Sequence, residues 1–449
     1  VPQAQVLEEI VVTAQRREQT LQEVPISIEA YGGAELQRQG FRNLRDLSDF
    51  SPSVLVDDSD FLSQERMVRG FGTSGNALTL EQAVPIFIDG IHYGRPAQVR
   101  TAFLDLDRLE VLKGPQPVFF GMSATAGAFN IQSRRPTPVW EGYVDTEYGN
   151  NGAAQVEAAA GGPITDTFGI RLAGKYEVSD GYIEDIITGD KLGEYRDLGG
   201  RLTLQWTPND AFRARLKVEG STIDKDPQAT HLCRTEGSLK FFRNPSSPSD
   251  EGDERSVWVD PPLGSGWDVP HTPLSRDCFG NNLGVSNGGP YHEPPLNVAE
   301  ENSSTGMIDV REAMDAWVKL LDERGFGGSP TGTTGTEEIG AWTGYVDLVY
   351  NLPGGVEVNW LSGYSYFDRL NVRDNSNSPF LVNLQNRTEK FDQWSSELRF
   401  TSPAGGHDLG GFNLEWMVGL FIQDMDYDIN SNSPRGNSRR GSIDVDERP

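Results

Sequence analysis

Strict two-residue alternation of apolar and polar side chains, sustained over whole segments, limits this chain to strands with one greasy face and one wet face. Phe168, Ile170, Leu172, Gly174, Tyr176 and Val178 alternate with Gly169, Arg171, Ala173, Lys175, Glu177 and Ser179. The same phase recurs at Phe212, Ala214, Leu216 and Val218 against Arg213, Arg215, Lys217 and Glu219. It returns in Phe412, Leu414, Trp416, Val418, Leu420 and Ile422, with Asn413 and Glu415 between them. Alternation alone fits a water-facing sandwich as well as a membrane barrel, because the two differ only in which face meets solvent. Aromatic rings near the segment ends, at Trp140, Tyr148, Trp206, Trp342, Tyr350 and Trp394, favour the barrel, since such rings collect at membrane interfaces.

Turn lengths point the same way. Short connections fall at 162–166, 207–210, 352–355 and 402–406, and long ones at about 180–196, 225–338, 369–391 and from 430 onward. Tight turns at one end and long loops at the other are the pattern of an outer-membrane barrel. The expected strands are 139–149, 153–161, 167–179, 197–206, 211–223, 340–351, 356–367, 392–401 and 411–428, nine in number. The loop 225–338 is long enough to imply a purpose of its own. Within it Val310, Met314, Trp317, Leu320 and Leu321 share one helical face, and Gly325 after Arg324 is placed to cap that helix.

Composition sets bounds. Only 36% of the 449 residues are hydrophobic, and no window approaches the roughly 18 apolar residues of a spanning helix. A barrel escapes that requirement, because only alternate residues meet lipid. The net charge of −27 argues against nucleic-acid binding, which needs a basic footprint. It suits an extracellular or outer-leaflet setting. The chain opens Val1-Pro2-Gln3-Ala4-Gln5, without the charged and apolar regions of a secretory signal, and reads as mature protein. Cys233 and Cys278 read as one bridge closing a loop, the alternative being two unpaired thiols.

Near the N-terminus runs Glu8-Glu9-Ile10-Val11-Val12-Thr13-Ala14-Gln15-Arg16-Arg17. Four consecutive β-branched residues prefer an extended backbone, yet the run is short and without an apolar partner in sequence. It reads either as an ordinary N-terminal strand or as a docking strand that adds to the sheet edge of another protein.

Further on come Val24-Pro25-Ile26-Ser27-Ile28, Met67-Val68-Arg69-Gly70-Phe71-Gly72 and Val84-Pro85-Ile86-Phe87-Ile88-Asp89-Gly90. Leu109-Glu110-Val111-Leu112-Lys113-Gly114-Pro115-Gln116 and Gly127-Ala128-Phe129-Asn130-Ile131-Gln132-Ser133-Arg134-Arg135-Pro136 complete the series. In this order, behind the N-terminal run, the series resembles the plug domain of TonB-dependent outer-membrane transporters across residues 8–136. Pro117, Met122 and Ala126 depart from the family pattern and bear on local loop conformation.

The resemblance implies a mainly β protein of the bacterial outer membrane: an N-terminal extension with a TonB box at 1–20, an α+β plug domain at 21–136, and the first part of a transmembrane antiparallel β-barrel at 137–449. It implies active transport, with the periplasmic TonB protein capturing Glu9, Ile10, Val11, Val12, Thr13 and Ala14. The default substrate is a ferric siderophore; glycans, corrinoids and plant aromatics are alternatives, contacted by loops near 58–64, 73–81 and 92–100 and by 225–338. The plug arginines Arg69, Arg134 and Arg135 are expected to face lumenal Glu177, Glu219, Glu397 and Glu415 in exchangeable ion pairs. Only about seven residues precede the box, so no signalling domain is expected before it.

No nucleophile elbow, phosphate loop or zinc spacing occurs, so neither an enzyme nor a cofactor is expected. Asp57, Asp58 and Asp60 read as a solvated loop rather than a calcium site, and His231, His271 and His292 fit no compact metal pattern. A passive porin or a surface adhesin is the competing class, and neither needs the N-terminal run. Plugged barrels of this type have 22 strands, so nine leave an open sheet to be completed by a continuation of the chain or by a second polypeptide.

Overall fold

The computed structural model describes residues 11–13, 17, 19–20, 22, 24–57, 65–73, 82–99, 103–120, 124–184, 191–226, 241–243, 257–259, 271–276, 282–285, 335–374, 384–403, 405–432 and 441–445. Its largest element is one antiparallel sheet in which every strand pairs with its neighbours in sequence. The strands are Glu141–Tyr148, Ala154–Thr165, Phe168–Glu184, Lys191–Asn209, Phe212–Lys225, Thr336–Asn351, Glu357–Asp374, Leu384–Thr401, Met417–Asn432 and Gly441–Val445. The nine expected strands are all present, and the short segment Gly441–Val445 adds a tenth to the edge of Met417–Asn432. Several reach 16 to 19 residues, well past the 9 to 11 or so that span a bilayer, so they continue into what the sequence suggested were loops.

Side-chain phase follows the alternation. Leu172 and Leu216 are 53% and 42% exposed on the outer face, whereas Arg171 and Arg215 are 2% and 6% exposed on the lumenal face. Cross-strand register stacks Leu172 beside Leu202, Leu202 beside Val218, and Leu216 between Leu204 and Val346, giving continuous apolar rows. Short turns are closed by their own side chains. Thr165 Oγ1 accepts from the Thr167 and Phe168 amides, and Asn209 Oδ1 from those of Ala211 and Phe212.

One turn departs from expectation. The strand placed at 411–428 begins only at Met417; residues 407–408 and 413–414 instead form a small ladder of their own. Asp408 Oδ1 accepts from the Gly410 and Gly411 amides, and both glycines have positive φ, so the chain reverses there before the barrel strand starts.

The plug lies against the lumenal face. Its main sheet has the order Ser27–Gly32, Leu106–Lys113, Gly127–Ser133, Ile86–Ile88, Ile91–Tyr93, with Gly127–Ser133 parallel to Ile86–Ile88. Asp89 and Gly90, both at positive φ, turn the last hairpin, which is the backbone a two-residue loop demands. A smaller sheet holds Val54–Asp57, Glu65–Val68 and Phe71–Thr73, and here Gly72 is required because a Cβ would stand 1.9 Å from the Arg66 carbonyl oxygen. Helix Gly33–Arg38 and the capped turn Leu44–Asp46 cover the core of Ile86, Ile88, Leu109, Val111, Phe129 and Ile131. Tyr345 and Leu361 of the wall belong to the same core, so plug and barrel share buried apolar surface.

Candidate functional site: the N-terminal segment and the plug–barrel seam

The β-branched run does not stand alone. Val11 and Val12 pair antiparallel with Thr20 and Gln19, and Val12 is fully buried among Val24, Phe87, Leu112, Phe120, Ala124 and Ala128. Burial of one valine is worth about 1.5 kcal/mol or more, enough to hold the segment without fixing it permanently. The Thr13 amide donates to Glu110 Oε1 at 2.8 Å, and the Asn130 amide group donates to Glu110 Oε2 at 2.8 Å and to Thr13 Oγ1 at 3.1 Å. Arg108 Nε donates to the same buried carboxylate at 2.8 Å. The partner that the sequence did not reveal is therefore intramolecular: Gln19 and Thr20 carry no strand signature, and the valine's socket is built from distant plug segments. Glu9, Ile10 and Ala14 lie outside the described residues.

Arg17 ties this segment to the barrel rim. Its Nη1 meets Glu415 Oε2 at 3.0 Å, while Nη2 donates to Ser402 Oγ at 2.9 Å and to the Trp416 carbonyl at 3.2 Å. Ser402 Oγ also accepts from the Trp416 amide, and the Ser402 amide donates to Trp416 O, so the receiving groups are themselves fixed.

Across the seam, two plug aspartates enter clusters of barrel bases. Asp105 receives both Arg171 Nε at 2.6 Å and Nη2 at 2.7 Å, a two-pronged contact, and Arg201 donates to the neighbouring Leu104 carbonyl. Asp89 takes Lys217 Nζ at 2.6 Å, the Ser133 amide at 3.0 Å and Ser133 Oγ at 2.7 Å. Lys217 also meets Glu219, which accepts from Arg201 at 2.8 Å and from the plug's Tyr93 hydroxyl at 3.1 Å. Burial pushes the Asp89 carboxyl up, but Lys217, Arg215 and Arg201 outweigh it and hold the group well below the usual carboxylate range. Both aspartates sit at positive φ, 52° and 49°, a region that aspartate tolerates better than most residues.

The expected pairs are redistributed. Arg69 bonds Ser27 Oγ inside the plug at 2.8 Å; Arg134 Nε donates to the Leu106 carbonyl, and its guanidinium lies over the Tyr143 ring. Arg135 faces the wall's Arg215, whose like charge, with burial, lowers its pKa. Glu177 stands 3.7 Å from the plug's Arg42, and Glu397 pairs with Arg399 at 2.9 Å within the wall. Glu219 and Glu415 do meet plug or N-terminal groups, namely Tyr93 and Arg17. Turn geometry favours aspartate at the plug tips, and the lumenal alternation supplies the bases, so the dominant seam contacts have the opposite polarity to the expected one.

Higher on the seam, Gln98 donates to Ser365 Oγ, Gln393 donates to the His92 carbonyl, and Arg95 lies 4.4 Å over the Tyr427 ring. Of the suggested substrate loops, 58–64 and all of 73–81 except Thr73 lie outside the described residues, as do both cysteines, most of 225–338, His231 and His292. Among the described residues no group of three or more His, Cys, Asp or Glu is arranged to hold a metal ion.

Residues 20–128 match the family model "TonB-dependent Receptor Plug Domain". An iron-regulated outer membrane virulence protein of Vibrio cholerae is 26% identical over 281 residues, covering 56% of this chain and 40% of that protein. The pesticin receptor of Yersinia pestis is 29% identical over 133 residues, 28% of this chain and 19% of its own length. The solved ferric yersiniabactin uptake receptor FyuA from Yersinia pestis superposes with a TM-score of 0.59 at 16% identity, over 92% of this chain and 50% of that one. The pyoverdine outer membrane receptor FpvA from Pseudomonas aeruginosa gives 0.60 at 15% identity, over 97% and 51%. The chain thus spans about half or less of the length of the proteins it matches. The expectation of a second polypeptide completing the barrel draws no support from these matches. Residues 20–128 thus carry a TonB-dependent receptor plug domain, and the chain around them has the plug-and-barrel-strand fold of the outer-membrane receptors it superposes on.

Proposed function

We propose that the protein takes up a ferric chelate across the outer membrane, driven by TonB acting on residues 9–14. The observation that supports this reading is the storage of Val11 and Val12 in a two-pair ladder, with Thr13 bonded to Glu110 beside it, against the plug. So short a ladder exchanges readily for a longer one offered by another protein's sheet edge.

The chain order then makes pulling productive. Tension on the segment draws Val12 from its socket and strips Thr13 from Glu110, and the strand that follows its ladder partner Gln19–Thr20 is Ser27–Gly32, an edge strand of the plug sheet. An edge strand unzips from its single neighbour, Leu106–Lys113, one residue pair at a time. Meanwhile Asp89 and Asp105 keep the rest of the plug moored to the wall. An opening created on one side of a retained plug admits a bound substrate while the lumen stays obstructed.

A ferric siderophore is the first candidate because the relatives include receptors named for iron regulation and for ferric enterobactin. Glycans, corrinoids and plant aromatics are the other candidates. Uptake profiling over iron and carbon sources, in a strain lacking this protein and in a strain that keeps it but lacks TonB, separates them. Loss of ferric-chelate uptake in both strains supports the reading. TonB-independent flux would indicate a passive porin, and binding without flux an adhesin.

A further inference from the structure

The turn 402–416 differs from the other described short connections at its end of the sheet by forming a small hairpin of its own, residues 407–414. Three apolar side chains on it are open: Leu409 at 63%, Phe412 at 78% and Leu414 at 49% exposed. Soluble surfaces seldom leave such a cluster bare. Its position relative to the bilayer explains it. On the outer face of Met417–Asn432, Val418, Leu420 and Ile422 are exposed and apolar, while Asp424, Asp426 and Asp428 above them are exposed and charged. The hydrocarbon band therefore ends at or below Asp424, which pairs with the interfacial Trp394. A band about 25 Å tall, crossed at roughly 40° and 3.3 Å per residue, takes about ten residues. Counting down from Asp424 places the opposite boundary near Leu414, so the hairpin lies at the level of the periplasmic headgroups and continues the lipid-facing row.

We propose that residues 407–414 form a lipid anchor, with Leu409, Phe412 and Leu414 seated in the headgroup–acyl boundary of the periplasmic phospholipid leaflet, and that this anchor holds the Arg17 clamp in the frame of the membrane. The clamp groups Ser402, Glu415 and Trp416 flank the hairpin directly. A tether that must hold position while the neighbouring segment is pulled needs a footing that does not move with the plug. Amphipathic side chains at a membrane boundary supply one. The second half of the proposal rests on the reading of the N-terminal segment as the pulled element; the first does not.

Spin labels test both halves on the full-length receptor in phospholipid nanodiscs, with Cys233 and Cys278 replaced by serine. A label at Phe412→Cys should collide with dissolved oxygen in preference to a water-soluble nickel chelate, as a label at Leu420→Cys does. Nickel accessibility like that of Asp210→Cys in a short turn would overturn the anchor. So would protection that arises only on adding the soluble TonB domain, since the occupant would then be protein. For the clamp, a label at Gln19→Cys should become several-fold more mobile in Phe412→Asp or Leu409→Asp, as in Arg17→Gln, and stay immobile in Phe412→Trp. An unchanged Gln19 label in both aspartate variants would overturn the coupling. Neither readout uses uptake, so failure of the transport reading leaves the anchor test intact.

Discussion

Lys217 of the barrel wall and Asp89 of the plug meet at 2.6 Å with both side chains fully shielded from water. A buried pair contributes little over an apolar replacement, but removing one member strands the other's charge, at a cost of about 3–5 kcal/mol. Asp89→Asn keeps the Ser133 contacts and strands only Lys217, which retains Glu219. Lys217→Met takes away the 2.6 Å partner of Asp89 and leaves the charge of Glu219 nearby without its shared ammonium, so it should be the more damaging change. The double variant should recover part of the loss. Urea titrations of plug release, followed by protease susceptibility, measure the order; equal effects of the two single changes would contradict the network.

The same carboxylate sets an acid limit. A group whose pKa is depressed in the folded protein adds stability above its ordinary value of 3.8, and that contribution disappears as pH falls toward the lowered one. Plug docking should therefore be flat through the neutral and mildly acid range and weaken only below about pH 4. Asp89→Asn should flatten that acid limb. Denaturant midpoints measured against pH would refute this if the wild-type docking weakened already near pH 6.

The two faces of Phe212–Lys225 predict unequal tolerance. Leu216→Arg puts charge into lipid at about 2–4 kcal/mol near the midplane and should block barrel assembly. Arg215→Leu leaves the outer face intact but deprives Asp347 of its 2.9 Å partner, with Asn359 as the remaining donor, so the barrel should assemble with reduced stability. Heat-modifiable gel mobility reports assembly. Similar yields for both would overturn the assigned phase.

Strand phase was legible because it is a local property: each residue's neighbours two positions away reveal its face. The seam was not, because Asp89 and Lys217 are 128 residues apart and nothing local links a turn aspartate to a lumenal lysine. The alternating bases and the Asp89-Gly90 dipeptide each stand in the sequence; that they meet cannot be read from it. The hairpin at 407–414 was absorbed into a strand because Phe412 and Leu414 continue the alternation of Val418 and Leu420, while the reversal depends on the conformation of Gly410 and Gly411. The burial of Val12 escaped notice for a third reason: its socket uses Phe87, Leu112, Phe120 and Ala128, which no periodicity connects.

Arg17 offers a way to loosen the N-terminal segment without touching the plug core. Arg17→Gln removes the ion pair with Glu415 and weakens the contacts to Ser402 and the Trp416 carbonyl. A half-exposed pair of this kind is worth about 1 kcal/mol or less, so the stored state should lose up to roughly fivefold in population and the fold should persist. Hydrogen exchange at the Val12 and Thr13 amides should accelerate accordingly, with plug-sheet amides unaffected. Unchanged exchange would mean that the socket alone holds the segment.

On the proposed function, residues 9–14 couple energy and take no part in recognising the substrate. Whole cells carrying the receptor with residues 9–14 deleted should bind a radiolabelled ferric chelate at the surface with wild-type affinity and accumulate none of it. Accumulation at the wild-type rate, or loss of surface binding along with uptake, would contradict the account.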